Sequence, residues 1–554
     1  MMMKNNKLFV LLVSALLLTQ LVLTAQPMED KVVMSAMHDE LLRNKQELSL
    51  ANFSTPFFLS YAVNISSGFE ISASLGAVVN SYQDPLSVAG TIRLMLGDNH
   101  RTSDIGYNGQ YQSFPLPAEA DYNEIRRCFW LATDAAYKQE LRKYVSKNAY
   151  LKANPRTPEE EGLDDFSKTA VTSNQVTSDV EYQMDKKEWE TKLADLSAIF
   201  KKYPQLFNSS VTLEGQNMSI CKETSEGITL KEPKSYAFLS VRASVIANDG
   251  VKISDDWSKV ALRPQDLPTL EVLEKEITAF ADNLVRLGTL EPCREYYSGP
   301  VLFEDGACSN IFVDNLLQPG RLMAYRKAEG GKPEFTLDSR MGRKILDHRI
   351  SVRNYTALKS YNNTSLFGSY TVDAEGVTPA KEMTLIEEGI FKGQLNGRIP
   401  TLKALQSTGS SRFALANDQV YFGTAPGTIH ILVKDGMKPE KMKKALQKAA
   451  HEEGLDYAYI VRKMAGQASR IYRVDVKTGE ETQVRAGDFA AIDLPKIKRL
   501  REISTKEKVS NYMLNRQSFS SLIYPSAILM EDVEINVPQL KQEKQTALTF
   551  PLAR

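Results

Sequence analysis

An α+β fold in two lobes, both built on mostly antiparallel sheets with helices packed against them, is what the sequence predicts. Three observations carry this. Alternating apolar and polar runs, rich in β-branched and aromatic residues, recur before and after residue 288. Segments of helical periodicity interrupt them. Gly-, Asn- and Asp-containing turn signals separate successive strands. The chain has 554 residues, 42% hydrophobic and 25% charged, enough for about two to four domains.

The N-terminus has the pattern of a sorting signal. Lys4 and Lys7 precede an apolar run from Leu8 to Leu23 that ends in Thr-Ala-Gln. This order predicts a signal peptide over residues 1–25, cleaved after Ala25. The run is shorter than the roughly 20 residues a spanning helix needs, and no cysteine lies nearby for lipid attachment. No later segment is apolar enough to cross a bilayer. The expectation is an exported chain, periplasmic in a two-membrane bacterium, without stable membrane insertion.

Met28 to Lys45 reads as a helix with Val32, Val33, Met37, Leu41 and Leu42 on one face and His38 on its polar side. From Phe57 the segments FFLSYAVN, FEISASLGAVVNSY and AGTIRLMLG read as strands, with turn signals at Ser66–Gly68 and Gly97–Asn99. Tyr122 to Lys147 is a second helix. Ala153 to Asp179, with Pro155, Pro158 and three consecutive glutamates, reads as an exposed connection or a lid-like excursion. A helix marked by Trp189, Leu193, Leu196 and Phe200 precedes strands around Ser210–Leu213 and Ala237–Ile246. A last helix, Leu270 to Leu287, stops at Gly288 as a C-terminal breaker. The domain boundary falls there, giving an N-terminal α+β domain over 26–288 and a β-rich domain over 289–554. In the second domain, Pro439 to Glu453 is a lysine-rich helix capped by Gly454.

Formal net charge is +0, from 68 basic and 68 acidic residues, so nothing in the charge balance favours nucleic acid as a partner. Cys128, Cys221, Cys293 and Cys308 are the cysteines. Four allow three pairings, and the sequence leaves disulfides and buried free thiols equally open.

The stretch Gly299 to Gly320, GPVLFEDGACSNIFVDNLLQPG, joins a strand-like run (Pro300–Phe303), a polar turn (Glu304–Ala307), Cys308 and a second apolar run (Ile311–Val313). It resembles the TldD/TldE family, whose TldE branch is also called PmbA or "modulator of DNA gyrase". The TldD branch carries a zinc-peptidase helix, His-Glu-x-x-x-His, at this point. Laid on that pattern, the histidines fall on Phe303 and Cys308 and the glutamate on Glu304. Further on, Phe367–Gly376 and Thr384–Gly393 resemble the family's Asp-Asp-Glu-Gly turn and the hairpin that follows it. Ser407–Arg412 and Ala425–His430 are partial echoes of two later elements, and Ser520–Ile535 resembles the closing strand. The likeness runs from Gly299 to Ile535. Before that it is loose, although the Arg-containing strand Thr91–Met95 has a counterpart.

Zinc hydrolysis of the kind the resemblance implies needs two imidazoles, a third ligand and a glutamate to deprotonate bound water. Phe303 has no donor atom, Cys308 offers one thiol, and no cysteine follows it where the family has its third ligand. Glu304 is the retained family glutamate, read most simply as a polar residue at a turn or helix start. His348, His430 and His451 have no partner at metal-ligand spacing. The basic stretch Arg340–Arg353 reads as a solvated face, with a surface that receives an acidic peptide or a partner's carboxylates as the alternative. Tyr355, Tyr361, Phe367 and Tyr370 either pack a sheet or line a peptide cleft.

The resemblance therefore implies a metal-free, non-catalytic subunit without a cofactor. It would form a homodimer, or a heterodimer with a TldD-like metallopeptidase, and help enclose a cleft for a peptide substrate. The alternatives are an active zinc metallopeptidase with an unorthodox site near Glu304 and Cys308, and a stand-alone periplasmic protein that binds peptides or glycans.

Overall fold

The computed structural model describes residues 30–542, apart from 51–52, 54, 107–110, 120, 169, 173–174, 177–181, 183, 332–335, 417–418 and 515–517. The expected signal segment 1–25 lies outside the described residues. No helix among those described is long and apolar enough to cross a membrane.

Every strand of the first sheet precedes residue 288. It comprises β1 (Phe58–Ser74), β2 (Ala77–Gln83), β3 (Ser87–Met95), β4 (Gln112–Leu116), β5 (Gln175–Val176), β6 (Leu206–Thr224), β7 (Thr229–Ile246) and β8 (Lys252–Ala261). The order is β4-β3-β1-β6-β7-β5, with β2 on β1 and β8 on β7. All pairings are antiparallel except β5 with β7. The strand period of two gives the sheet two apolar faces. Tyr61, Val63, Ile92, Leu94 and Cys221 pack with helices α1 (Asp30–Glu47) and α2 (Tyr122–Ala153). On the opposite face Ala62 and Ile220 pack against Phe413, Val420 and Phe422, which come from the second half of the chain. Farther along β1, β6 and β7, a second core forms with α4 (Lys186–Ala198) and α5 (Leu270–Thr289). The short α3 (Pro158–Glu161) lies between α2 and α4.

The second half holds two larger sheets. A seven-stranded sheet is built from β9 (Tyr297–Glu304), β18 (Tyr457–Lys463), β19 (Arg470–Asp475), β20 (Glu481–Val484), β21 (Asp488–Phe489), β22 (Leu500–Ile503) and β25 (Ala527–Asn536). A six-stranded sheet is built from β10 (Ile350–Tyr355), β13 (Glu382–Glu387), β14 (Ile390–Phe391), β17 (Thr428–Val433), β23 (Glu507–Leu514) and β24 (Ser518–Pro525). Both are mixed, because β18 runs parallel to β9 and β17 parallel to β24. Two hairpins stand apart: β11 (Ser360–Tyr361) with β12 (Thr364–Ser365), and β15 (Ser411–Ala416) with β16 (Gln419–Thr424). Val301 and Phe303 on one side of β9 join the large core shared with the six-stranded sheet and α6 (Asp305–Leu316). Leu302, on the other side, packs under α7 (Pro439–Glu452). The four-residue α8 (Leu494–Ile497) falls between β21 and β22 in the chain and packs against β25.

Three readings of the sequence are corrected. Ser66–Gly68 is no turn: β1 passes straight through it, changing its partner from β3, paired up to Ser66, to β2, paired from Phe69. A Cβ at Gly68 would stand 2.5 Å from the Asp84 carboxylate, which would have to swing aside. Gly288 does not break α5, which runs to Thr289; a Cβ there would meet Val245 at 3.0 Å, so glycine permits close helix–sheet packing. The connection after Ala153 is not simply exposed, since Asp165, Phe166 and Ser167 are buried. Gly454 does end α7, with φ +71.

Candidate functional site

At the Phe303–Cys308 junction the chain passes from strand to helix. Phe303 is the penultimate residue of β9, fully buried, with its ring centroid 6.2 Å from that of Phe489. Glu304 is the residue before α6, and Asp305 takes the left-handed conformation that makes the bend (φ +53). The Glu304 carboxylate accepts from Arg462 Nε at 2.9 Å, and the same guanidinium reaches Glu481 at 3.1 Å. Cys308 is fully buried, and its thiol donates to the Pro525 carbonyl at 3.1 Å. Burial, reinforced by the Asp305 charge, pushes this thiol well up, the reverse of what a nucleophile or metal ligand needs.

A zinc ion does not fit these residues. One position is aromatic, one is a protonated thiol already bonded to a carbonyl, and the carboxylate is held by an arginine. Among the described residues no group of three or more His, Cys, Asp or Glu side chains is placed to hold a metal. All four cysteines are free thiols, and Cys293 and Cys308 are not joined.

The other sequence-derived candidates lie in structural contacts. His430 is buried in β17, with Nε2 2.8 Å from a Glu507 carboxylate oxygen and the Tyr361 ring edge-on at 5.4 Å. His348 is exposed beside Asp347, and His38 pairs with Glu223. Within the basic stretch, Arg349 is held by Asp347 and the Leu500 carbonyl, and Arg353 by Glu382. Phe367 packs edge-on against Phe519, and Tyr370 lies under the Arg412 guanidinium at 3.9 Å.

A charged cluster that sequence reasoning did not assemble lies between the first sheet and the second half of the chain. Because Ile92 and Leu94 face the helices, Arg93 and Thr91 face the other way. On β6, Lys222 likewise alternates with the helix-facing Cys221. Opposite them stands the turn Asp373-Ala-Glu-Gly376. Asp373 builds that turn, accepting from the backbone N–H groups of Glu375 (2.9 Å), Val377 (2.8 Å) and Ser411 (3.0 Å). Gly376 completes it at φ +78. Glu375 then points at the cations: it accepts from Arg93 Nη1 (3.3 Å), the Ser411 hydroxyl (2.5 Å) and the Arg398 backbone N–H (3.0 Å). Lys222 donates to the Ala374 carbonyl, and Arg398 makes a two-pronged pair with Glu226 and donates to the Ser167 carbonyl.

Aromatic faces surround these cations. The Arg93 guanidinium carbon lies 5.3–5.9 Å from the rings of Phe58, Tyr111, Phe166 and Phe422. Arg398 lies 3.9 Å from Phe166, and Lys222 Nζ 4.1 Å from Phe422. Such contacts strengthen when desolvated. Burial lowers Lys222 to about 8. Burial alone would raise Glu375, but Arg93, Arg398 and Lys222 hold it below the usual carboxylate range. Asp373, buried and beside that charge, is raised.

Next to the cluster is a cavity of about 370 Å³, lined by Arg93, Tyr111, Glu375 and Arg398 on its polar side and by Met323 and Phe422 on its apolar side. Its wall also includes the C-terminal end of α6 at Leu317, whereas Glu304 and Cys308 are at that helix's opposite end. It opens towards solvent beside Gly423. A volume in this range suits a small ligand.

Comparison with known proteins finds a family likeness over part of the chain and a shared fold over most of it. The PmbA/TldA metallopeptidase C-terminal domain matches residues 298–491. No curated protein matches the sequence. Among solved structures, a candidate modulator of a DNA gyrase from Thermotoga maritima superposes with a TM-score of 0.55 at 14% identity, covering 86% of this chain and 96% of that one. TldE from Thermococcus kodakarensis gives 0.54 at 14% identity, over 90% and 99%. A further candidate modulator of DNA gyrase, from Bacteroides thetaiotaomicron, gives 0.54 at 11% identity, over 92% and 98%. At these identities the structures establish a shared fold, which extends over the N-terminal half where the sequence likeness is loose.

Proposed function

We propose that this chain, which carries the PmbA/TldA C-terminal domain on a TldE-like fold, is an exported, non-catalytic subunit with a TldE-like role. It pairs with a TldD-like metallopeptidase subunit, or with itself, and contributes walls to a peptide-binding cleft. Residues 26–288 and 289–554 act as its two domains. The observation that carries this reading is the junction at Phe303, Glu304 and Cys308. Where the resemblance calls for two imidazoles there is a buried phenyl ring and a buried thiol, and the retained glutamate is neutralised by Arg462. A polar residue drawn into such an ion pair is poorly placed to take a proton from water.

The test is metal analysis and affinity purification of the tagged full-length chain from its native cells. The reading expects a processed N-terminus at Gln26, far less than one metal per chain, and co-purification of a chain bearing His-Glu-x-x-x-His. About one metal per chain, lost in Cys308→Ala, would instead establish an unorthodox peptidase. A metal-free monomer without such a partner would favour the stand-alone binding protein.

A further inference from the structure

The turn Thr401–Gln406 holds its polar groups inwards and its leucines outwards. Asn396, buried, donates from Nδ2 to the Ala404 carbonyl at 2.9 Å. The buried Thr401 hydroxyl accepts from the Ala404 N–H at 3.1 Å, and the Thr401 N–H donates to the Ala404 carbonyl at 3.0 Å. With its backbone groups satisfied on the inner side, the turn leaves Leu402 47% and Leu405 55% exposed. A single exposed leucine needs no account. Two on one fixed turn, beside an unmatched group of charges, do.

Those charges are Arg340, Arg343, Lys392 and Lys403. All four are exposed, and none forms an ion pair among the described residues. Backbone bonds fix their neighbourhood: the Arg343 N–H donates to the Arg340 carbonyl at 2.9 Å, and the Arg343 carbonyl accepts from the Phe391 N–H at 3.0 Å, which brings Lys392 alongside. Asp338, which opens the short turn holding Arg340, lines one groove with Thr401 and Leu402 and is within reach of the Lys403 charge. Its carboxylate is half-buried and accepts from Gln394 Nε2 at 3.0 Å, so it offsets little of the positive charge presented outwards.

Two features select the occupant. Four unmatched cations call for an anionic surface. An acidic polypeptide answers the charges alone. A bilayer of anionic lipid answers both, because its headgroups meet the cations while its acyl boundary takes the leucines. Two leucines bury too little for lasting anchorage, so the contact is reversible. It is also distinct from spanning, which no described helix is long and apolar enough to do.

We propose that the Thr401–Gln406 turn and the cations Arg340, Arg343, Lys392 and Lys403 form a peripheral docking surface for a bilayer of anionic phospholipid. The surface lies within this chain, so the inference stands whether or not a partner subunit exists.

Co-sedimentation of the full-length chain, as processed by its own cells, with lipid vesicles tests it. Vesicles of phosphatidylcholine alone are compared with vesicles that also hold about 30% phosphatidylglycerol. The anionic vesicles should bind at least about tenfold more tightly, and raising salt from about 50 to about 500 mM should remove most of that advantage. Leu402→Ser combined with Leu405→Ser should weaken binding to anionic vesicles about tenfold. Arg340→Gln, Arg343→Gln and Lys392→Gln together should remove most of the preference for anionic lipid. All five changes fall at exposed positions, so neither variant should melt earlier than wild type. Both keep the wild-type N-terminus, so a difference between them and wild type reports the patch. Soluble polyglutamate, offered in place of vesicles, stands for an acidic protein. No binding to anionic vesicles, equal binding to both vesicle types, unchanged binding in the leucine variant, or polyglutamate bound as tightly as anionic vesicles would each overturn the proposal.

Discussion

Arg93 of β3 and Glu375 of the Asp373–Gly376 turn are 282 residues apart, yet Nη1 stands 3.3 Å from Oε1 with both side chains buried. The pair fastens the first sheet to the second half of the chain. Removing one partner of a buried ion pair leaves an uncompensated charge and typically costs about 3–5 kcal/mol. Glu375→Gln should lie towards the lower end, since the amide still accepts a hydrogen bond and Asp104 remains beside Arg93. In urea unfolding, Arg93→Met combined with Glu375→Gln should cost clearly less than the two single losses added together. Additivity would show that the two side chains are not coupled.

Asp373 gives a pH signature. Burial and the neighbouring Glu375 raise its folded pKa above the unfolded value, so the folded state holds this proton more tightly. That contribution is fully present below the unfolded pKa and is lost as pH rises through the folded one, near 7. Asp373→Asn cannot titrate. It is also less stable throughout, because its amide nitrogen would face the Ser411 N–H that Asp373 now accepts. Melting temperatures should therefore show a gap between wild type and variant that narrows from about pH 5 to about pH 8. A widening gap would assign the proton to another group.

The strand alternation of β1 and β3 was legible, as were the helices around Trp189 and before Gly454, because each rests on local periodicity or a local breaker; the Thr384–Gly393 hairpin was legible only through the family resemblance. The partner change at Ser66–Gly68 was not, since a strand that swaps neighbours looks locally like a turn. Nor was the burial of Asp165, whose neighbours Pro158 and three glutamates are surface-like; Lys147, Arg156 and Arg326 hold it from three separate segments. The candidate site was legible only in fragments. Arg93 inside an apolar strand was visible as a charge in a β-rich run, whereas Lys222 falls between the strands read around Ser210–Leu213 and Ala237–Ile246 and belongs to the longer β6. That they share a face with Glu375 depends on long-range pairing, which periodicity does not encode.

Cysteine reactivity separates the buried-thiol arrangement from an active centre. Cys221, Cys293 and Cys308 are buried, and Cys128 is half-buried. Native protein treated with a thiol reagent at neutral pH should react at Cys128 alone, slowly, because burial and Glu124 raise that thiol. All four should react after denaturation. Fast labelling of Cys308 in the native state would contradict its enclosure beneath Pro525.

Glu304 offers the sharpest contrast between a structural and a chemical role. Its side chain is 26% exposed and its partner Arg462 31% exposed, so solvent screens the pair and its stability contribution should be about 0–1 kcal/mol. Arg462 also keeps Glu481 at 3.1 Å and the Tyr472 ring at 4.3 Å when Glu304 is neutralised. Glu304→Gln, which can still accept from Arg462 Nε, should therefore unfold within about 1 kcal/mol of wild type in urea. Its pairing and ligand affinity should not change, because the cavity lies at the opposite end of α6. A general base has no such tolerance: exchanging its carboxylate for an amide typically removes about 10²–10⁴-fold in rate. If the chain, alone or with a partner, hydrolyses a peptide, an unchanged rate in Glu304→Gln assigns the chemistry elsewhere. A loss of that size with unchanged stability would place it at Glu304 and overturn the subunit reading.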